Sequence, residues 1–324
     1  DWRRQRTCAA PSSSPATRWH GHCATGPAAA MFASAWAEGD HTTMRSPRRR
    51  PFLVALVLAT AVMLASSAAV AERRVALVIG NGKYESTPPL PNPANDARLI
   101  AATLADLGFE VVGGGAMVDL DKAALENAIR RFGQRLAGGD VGLFYYAGHG
   151  IQLRGSNYLI PVNSKLEREA DVKYELVDAA FVLDEMGSAG TRLNMVILDA
   201  CRNNPFANRG LRSVQSGLAQ MQAPRGTVIG YATQPGAVAL DGSGSTGPYA
   251  SALAAAMRQP GLRLFETFNE VGVRVQKETA GQQQPWLATS PIEGQFAFVP
   301  GATAAGVAPP PTPAAAPVPA PKLT

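Results

Sequence analysis

Residues 141–150 read VGLFYYAGHG. The first seven are apolar or aromatic without a break, and two glycines then flank a histidine. An apolar run of this length predicts a strand buried on both faces, as in a parallel sheet. Three more runs of the same kind lie outward from it: VALVIG at 75–80, LNMVIL at 193–198 and TVIGYA at 227–232. Shorter strands are predicted at 109–112, 158–162 and 295–299. Helical periodicity fills the gaps. Asn95-Asp96 reads as the cap of a helix carrying Ile100, Leu104 and Leu107, which Gly108 closes. Asp119 or Asp121 caps a second helix with Leu125, Ile129, Phe132 and Leu136 in register. Further helices are predicted at 177–186, 248–257 and 264–277. Strands alternating with helices predict an α/β fold, a parallel sheet with helices on both faces.

Composition separates this body from its flanks. The chain has 324 residues and a formal net charge of +5, but residues 1–71 hold eight of the 30 basic and three of the 25 acidic residues. That leaves 22 of each sign in 72–324. The body is neutral, so charge gives no argument for nucleic-acid binding. Residues 44–71 read as a secretory signal: Met44 followed by Arg45, Arg48, Arg49 and Arg50, the apolar run Phe52–Ala65, and Ala69-Val70-Ala71 as the cleavage site. The alternative is an uncleaved anchor, although the run is short for a span. Arg49-Arg50 also has the form of a twin-arginine signal. Export to the periplasm or medium is therefore expected, with no membrane span left after cleavage. Residues 1–43 lack periodicity and are expected to be an unstructured extension upstream of a start at Met44. Residues 301–324, rich in Ala and Pro, are expected to be a disordered, polyproline-like tail or linker after a domain at 72–300.

Beyond the signal, the body keeps one histidine, His149, and one cysteine, Cys201. An intrachain disulfide and a Cys/His zinc site are thereby excluded there. The usual nucleotide and hydrolase motifs also fail. Gly80-Asn81-Gly82-Lys83 follows a strand, but Leu77, Tyr84 and Glu85 stand where phosphate-binding loops need Gly or Ser/Thr. GSGSTG at 242–247 does not centre a serine between glycines as a nucleophile elbow requires. Ala207 stands where a phosphatase loop needs Arg. What remains is the histidine and the thiol, each just past a strand, where open α/β sheets place their ligands. A lone cysteine is more often a core residue. A thiol nucleophile needs a base within hydrogen-bond reach, and the body offers this one imidazole.

His149 precedes Cys201 by 52 residues, the order and approximate spacing of caspases rather than of papain-like enzymes. Six segments carry the likeness: VALVIGNGKY at 75–84, NPANDA at 92–97, YYAGHG at 145–150, NYLIPV at 157–162, ILDACRNNPF at 197–206 and YATQPG at 231–236. The chain resembles the caspase-like cysteine peptidases (peptidase C14), closest to the bacterial paracaspase and orthocaspase branch, over roughly 73–299. The resemblance implies a three-layer α/β/α sandwich with a mostly parallel central sheet. It implies Cys201 as nucleophile, His149 as base and then acid, and the backbone N–H groups of Gly150 and Cys201 as oxyanion hole. No third side chain of a triad is identifiable, and backbone carbonyls often orient the histidine in that family. Asp199 replaces the glutamine of the caspase pattern. With Asp96 it implies an S1 pocket for Arg or Lys, and Asp241 is a third candidate acid. Tyr231, Ala232 and Thr233 would pair with the substrate backbone.

Other readings of these residues stand beside the functional ones. Asp96 can cap its helix, Asp199 can shape a turn, and Asp241 can be a solvated turn acid. Tyr145 and Tyr146 read as core and rim. The leading function is a cysteine endopeptidase acting on proteins or peptides with basic P1. The alternative is a non-catalytic caspase-like scaffold at the cell envelope, and a third reading is hydrolysis of non-peptide amides. No cofactor or metal is implied. Calcium is left open, with Glu167, Glu169 and Asp171 as scattered carboxylates, and so is a dimer.

Overall fold

The computed structural model describes residues 72–201, 214, 215, 217–235, 237, 239, 240, 242 and 244–301. Residues 1–43, 44–71 and 302–324, for which an upstream extension, a signal and a tail are expected, and Asp241 lie outside the described residues. In chain order the elements are β1 (Arg74–Gly80), α1 (Pro93–Asp106), β2 (Phe109–Val111), β3 (Met117–Val118), α2 (Lys122–Leu136), β4 (Val141–Leu153), β5 (Ser156–Leu159), α3 (Val172–Glu175), β6 (Val177–Asp178), α4 (Ala180–Ala189), β7 (Leu193–Cys201), β8 (Val214–Gln215), β9 (Thr227–Tyr231), α5 (Pro248–Met257), α6 (Leu264–Glu278) and β10 (Trp286–Thr289). The main sheet runs β10-β9-β7-β4-β1-β2. All neighbours pair in parallel except β10, which runs antiparallel beside β9.

Side-chain alternation along each strand builds a core on either face. Val141, Leu143, Tyr145 and Ala147 of β4 join Leu193, Met195 and Ile197 of β7 in one cluster with residues of α1, α5 and α6. Phe144 and Tyr146 join Val196, Leu198 and Ala200 in the other, with residues of α2 and α4. The result is the expected three-layer sandwich. Arg74, at the amino end of β1, anchors the far end of the chain to it. Its guanidinium lies over the rings of Phe109 and Phe296 at 5.7 and 4.9 Å and donates to the Phe298 carbonyl at 2.9 Å.

Several elements depart from the sequence reading. Strand β4 does not stop at Ala147. It continues through His149 to Leu153, changing partners: β7 pairs with it up to His149, and β5 pairs antiparallel from Gly150 onward. Helix α1 begins at Pro93 with Asn92 before it, so Asn95 and Asp96 lie inside the helix rather than capping it. Asp121, not Asp119, caps α2, accepting from the Ala124 N–H at 2.8 Å. Val177–Asp178 is a strand ahead of α4. The last strand is Trp286–Thr289. The stretch at 295–299 makes only isolated bridges, at Ala297 and Val299, because Phe296 and Phe298 turn into the core beside α1 without a strand to pair with. Tyr146, read as rim, is fully buried like Tyr145. Among the described residues no helix is long and apolar enough to cross a membrane.

Candidate active site

The site lies where β4 and β7 leave the main sheet. Their parallel register runs without a break from Val141↔Leu193 to His149↔Cys201. The two candidate catalytic residues are therefore neighbours across one pair of strands. At Cys201 the description is of the backbone, and 202–213 lie outside the described residues.

His149 is 5% exposed and is held from the loop between β1 and α1. Its Nε2 lies 2.8 Å from the carbonyl oxygen of Pro88. A carbonyl only accepts, so Nε2 carries the ring hydrogen and Nδ1 holds the lone pair in the neutral imidazole. The backbone carbonyl takes the orienting place a third side chain has in other triads. The ring of Tyr84 packs on the imidazole with centroids 4.6 Å apart. The His149 N–H donates to Tyr84 Oη at 2.7 Å, and the His149 carbonyl accepts from Tyr146 Oη at 2.9 Å and the Ile160 N–H at 3.1 Å. With Ile160 bonded to His149, the next pair, Gly150↔Leu159, is a non-hydrogen-bonded pair of the antiparallel ladder. The Gly150 N–H accordingly faces away from β5.

The same loop contains the Gly80–Lys83 segment that superficially suggests a nucleotide site. Its Gly82 and Lys83 N–H groups both donate to Asp119 Oδ1, each at 2.9 Å. A carboxylate occupies the position a phosphate would need. The buried Asn81 fixes the base of the loop, donating its N–H to Ala147 O and accepting the Leu120 N–H on Oδ1 at 2.9 Å.

Asp96 and Asp199 are brought together. Alternation puts Asp199 on the face of the sheet that α1 covers. There Tyr145 Oη donates to Asp199 Oδ2 at 2.8 Å. Burial first, then the charges of Asp199 and Asp96, push the Tyr145 phenol well above its ordinary range. Tyr249 of α5 is pushed up by burial and then by Asp199. Both phenols thus remain protonated, Tyr145 as the donor to Asp199. Asp96 is 5% exposed and accepts the Gly247 N–H at 2.7 Å, so it ties α1 to the start of α5 instead of capping its own helix.

The three residues expected to pair with substrate have these partners within the domain. Tyr231 pairs with Leu198 on one side and Trp286 on the other. Ala232 donates its N–H to Leu198 O, and its carbonyl accepts from Gln283 Nε2 at 2.9 Å. Thr233 is fully buried where the chain leaves the sheet. Gln283 Oε1 also accepts the Leu240 N–H at 2.9 Å, so one side chain spans the two ends of the segment that holds Thr233. Of the carboxylates considered for calcium, Glu169 pairs with Arg154 and Asp171 with Arg168.

The sequence reading gives no role to Tyr84, Pro88 and Gln283, and takes Tyr145 and Tyr146 only as core and rim. Tyr84 stood inside the quoted VALVIGNGKY segment, which was the available signal; a carbonyl partner such as Pro88 leaves none.

Comparison with known proteins identifies the family. The family model for the caspase domain (peptidase C14) matches residues 73–297. The human mucosa-associated lymphoid tissue lymphoma translocation protein 1 is 30% identical over 171 residues, 53% of this chain and 20% of its own length. Its mouse homolog is 30% identical over the same number of residues, 19% of its length. The matched region is thus about a fifth of those relatives.

Proposed function

The chain belongs to the caspase-domain family of peptidases, and from that premise we propose that it is a cysteine endopeptidase using His149 and Cys201 and cutting after Arg or Lys. The observation that carries the reading is the register His149↔Cys201 on adjacent strands, with His149 Nε2 fixed by Pro88. Nδ1 takes the proton from the Cys201 thiol. The thiolate attacks the scissile carbonyl, and negative charge develops on its oxygen toward the N–H groups of Gly150 and Cys201. The direction of the Gly150 N–H away from β5 supports that assignment. The imidazolium then protonates the leaving amine, the C–N bond breaks, and a thioester remains on Cys201. Water, deprotonated by His149, hydrolyses the thioester and restores the thiol.

The basic P1 preference rests on Asp96 and Asp199 meeting at Tyr145. The Tyr145 phenol donates to Asp199, and paired carboxylates select a cation by charge-assisted bonds. Asp241 stays a candidate for the same pocket. A second copy pairing along the exposed edge of β10, where Trp286 is 40% exposed, is the dimer we propose. Export follows from the signal read at 44–71.

The test is hydrolysis by the full chain of fluorogenic peptides bearing Arg, Lys, Asp or Ala at P1. The expected result is cleavage after Arg and Lys that vanishes in Cys201→Ala and His149→Ala. Cleavage after Asp alone would overturn the pocket assignment. Silence toward all four, with and without calcium, would overturn the endopeptidase reading in favour of a scaffold.

A further inference from the structure

Strand β4 changes partner at His149. On the amino side its ladder belongs to β1 and β7, and on the carboxyl side to β5. At that junction the His149 N–H goes not to a strand carbonyl but to the phenol oxygen of Tyr84 at 2.7 Å. Tyr146, from the same strand, shares its single O–H between the His149 carbonyl at 2.9 Å and the Ile160 carbonyl at 3.1 Å. The two phenol oxygens stand 3.5 Å apart. Both hydroxyls are inside the fold, since Tyr146 is fully buried and Tyr84 nearly so.

Gly148 makes room for them. Its φ is 153°, inside the range that side chains rarely adopt. A Cβ there would come within 2.6 Å of Tyr84 Oη and 2.9 Å of Tyr146 Oη. The glycine before the histidine is thus fitted to two phenols that grip the histidine's own peptide groups. Tyr84 does a second thing: its ring lies against the imidazole. Its loop also carries Pro88, the carbonyl that holds Nε2. The backbone N–H, ring face and Nε2 of His149 are all met from one short loop.

We propose that Tyr84, assisted by Tyr146, is a positioning residue for the His149 base: the phenol pair fixes the His149 backbone so that its imidazole meets both Pro88 and the Cys201 thiol. The inference rests on the His149/Cys201 reading above. It differs from a packing role in what it predicts. Tyr84→Phe keeps the aromatic ring and removes the phenol oxygen that accepts the His149 N–H and stands beside Tyr146 Oη. A misplacement on the order of 1 Å costs about 100-fold in rate, so loss of one of several restraints is expected to lower kcat roughly 10- to 100-fold. KM should stay within about threefold of wild type, because no substrate contact is removed. Tyr146→Phe should cost less, since the Ile160 N–H still donates to the His149 carbonyl.

The experiment has two arms on the full chain. The first is kcat and KM for the Arg-P1 peptide in wild type, Tyr84→Phe and Tyr146→Phe, with thermal unfolding of each. The second needs no substrate: the rate of Cys201 alkylation by iodoacetamide at pH 6, resolved by mass spectrometry from Cys8 and Cys23. Wild-type Cys201 is expected to react faster than Cys8 and Cys23, and Tyr84→Phe to slow it about tenfold or more. If wild-type Cys201 reacts no faster than the other two, the dyad reading itself fails. If it is fast and Tyr84→Phe leaves both that rate and kcat unchanged, the dyad stands and the positioning role is overturned. Should Tyr84→Phe not fold, the graded loss of kcat in Tyr146→Phe decides, and an unchanged value there overturns the proposal.

Discussion

From Val141 to Ala147, β4 lies between β1 and β7 and is held by strand backbones on both sides. From Gly148 to Leu153 it has lost β1, keeps β7 only as far as His149 and then pairs antiparallel with β5, while the peptide groups of His149 are held by the side chains of Tyr84 and Tyr146. The first half contributes apolar side chains to two cores. The second half contributes the histidine. A ladder of backbone bonds is indifferent to side-chain identity, whereas a side-chain grip fails with a single atom. Changes in the first half should cost stability, and changes in the second should cost chemistry.

That division can be broken most sharply at Phe144. It is fully buried between β1, β7 and α2, and Phe144→Ala is expected to lower unfolding stability by about 3–5 kcal/mol. Urea unfolding measures this. A loss of activity without a shift of the midpoint would contradict the comparison. Next comes Gly148→Ala in the second half. The methyl would displace both phenols, so kcat is expected to fall about 100-fold, more than the accompanying loss of stability accounts for. Adding Tyr84→Phe to Gly148→Ala should cost less than the two separate losses combined, because one phenol oxygen would already have been moved.

The smallest effect is a pH dependence that belongs to the first half. Tyr145 and Tyr249 are held above the ordinary phenol range by burial and by Asp199. Below about pH 10 these tyrosines are protonated whether the chain is folded or not. Above it the unfolded chain releases protons that the folded chain retains, and stability falls by roughly 1.4 kcal/mol per phenol and pH unit. Urea midpoints at pH 9 and 11 read this, and Tyr145→Phe should flatten the decline. The same slope in that variant would show that Tyr145 does not carry it.

Much of the architecture was legible because buried parallel strands write themselves as unbroken apolar runs. VALVIG, LNMVIL and TVIGYA each became a strand in place. The errors have local causes. Glycine on both sides of His149 reads as the end of a strand, yet here it allows the strand to bend and change partner. The alternation Phe296–Phe298 reads as a strand, yet the same alternation serves a segment that makes only isolated bridges and whose rings enter the core. Asn92-Pro93 was the better helix start, since proline fits the first helical turn. In the site, His149 and Cys201 were visible as the sole imidazole and thiol of the body. Pro88 was not, because a carbonyl partner depends on where a loop comes to rest and leaves no trace in residue type.

Arg74 has a consequence for connectivity. It binds the Phe298 carbonyl from the amino end of β1, and Glu72 and Gly301 line the same shallow cleft. The described domain is therefore closed like a ring, its first and last residues meeting at the edge opposite the site. A short linker from 301 back to 72, with new ends opened in the exposed Arg154–Gly155 turn, should give a circular permutant with the same sheet.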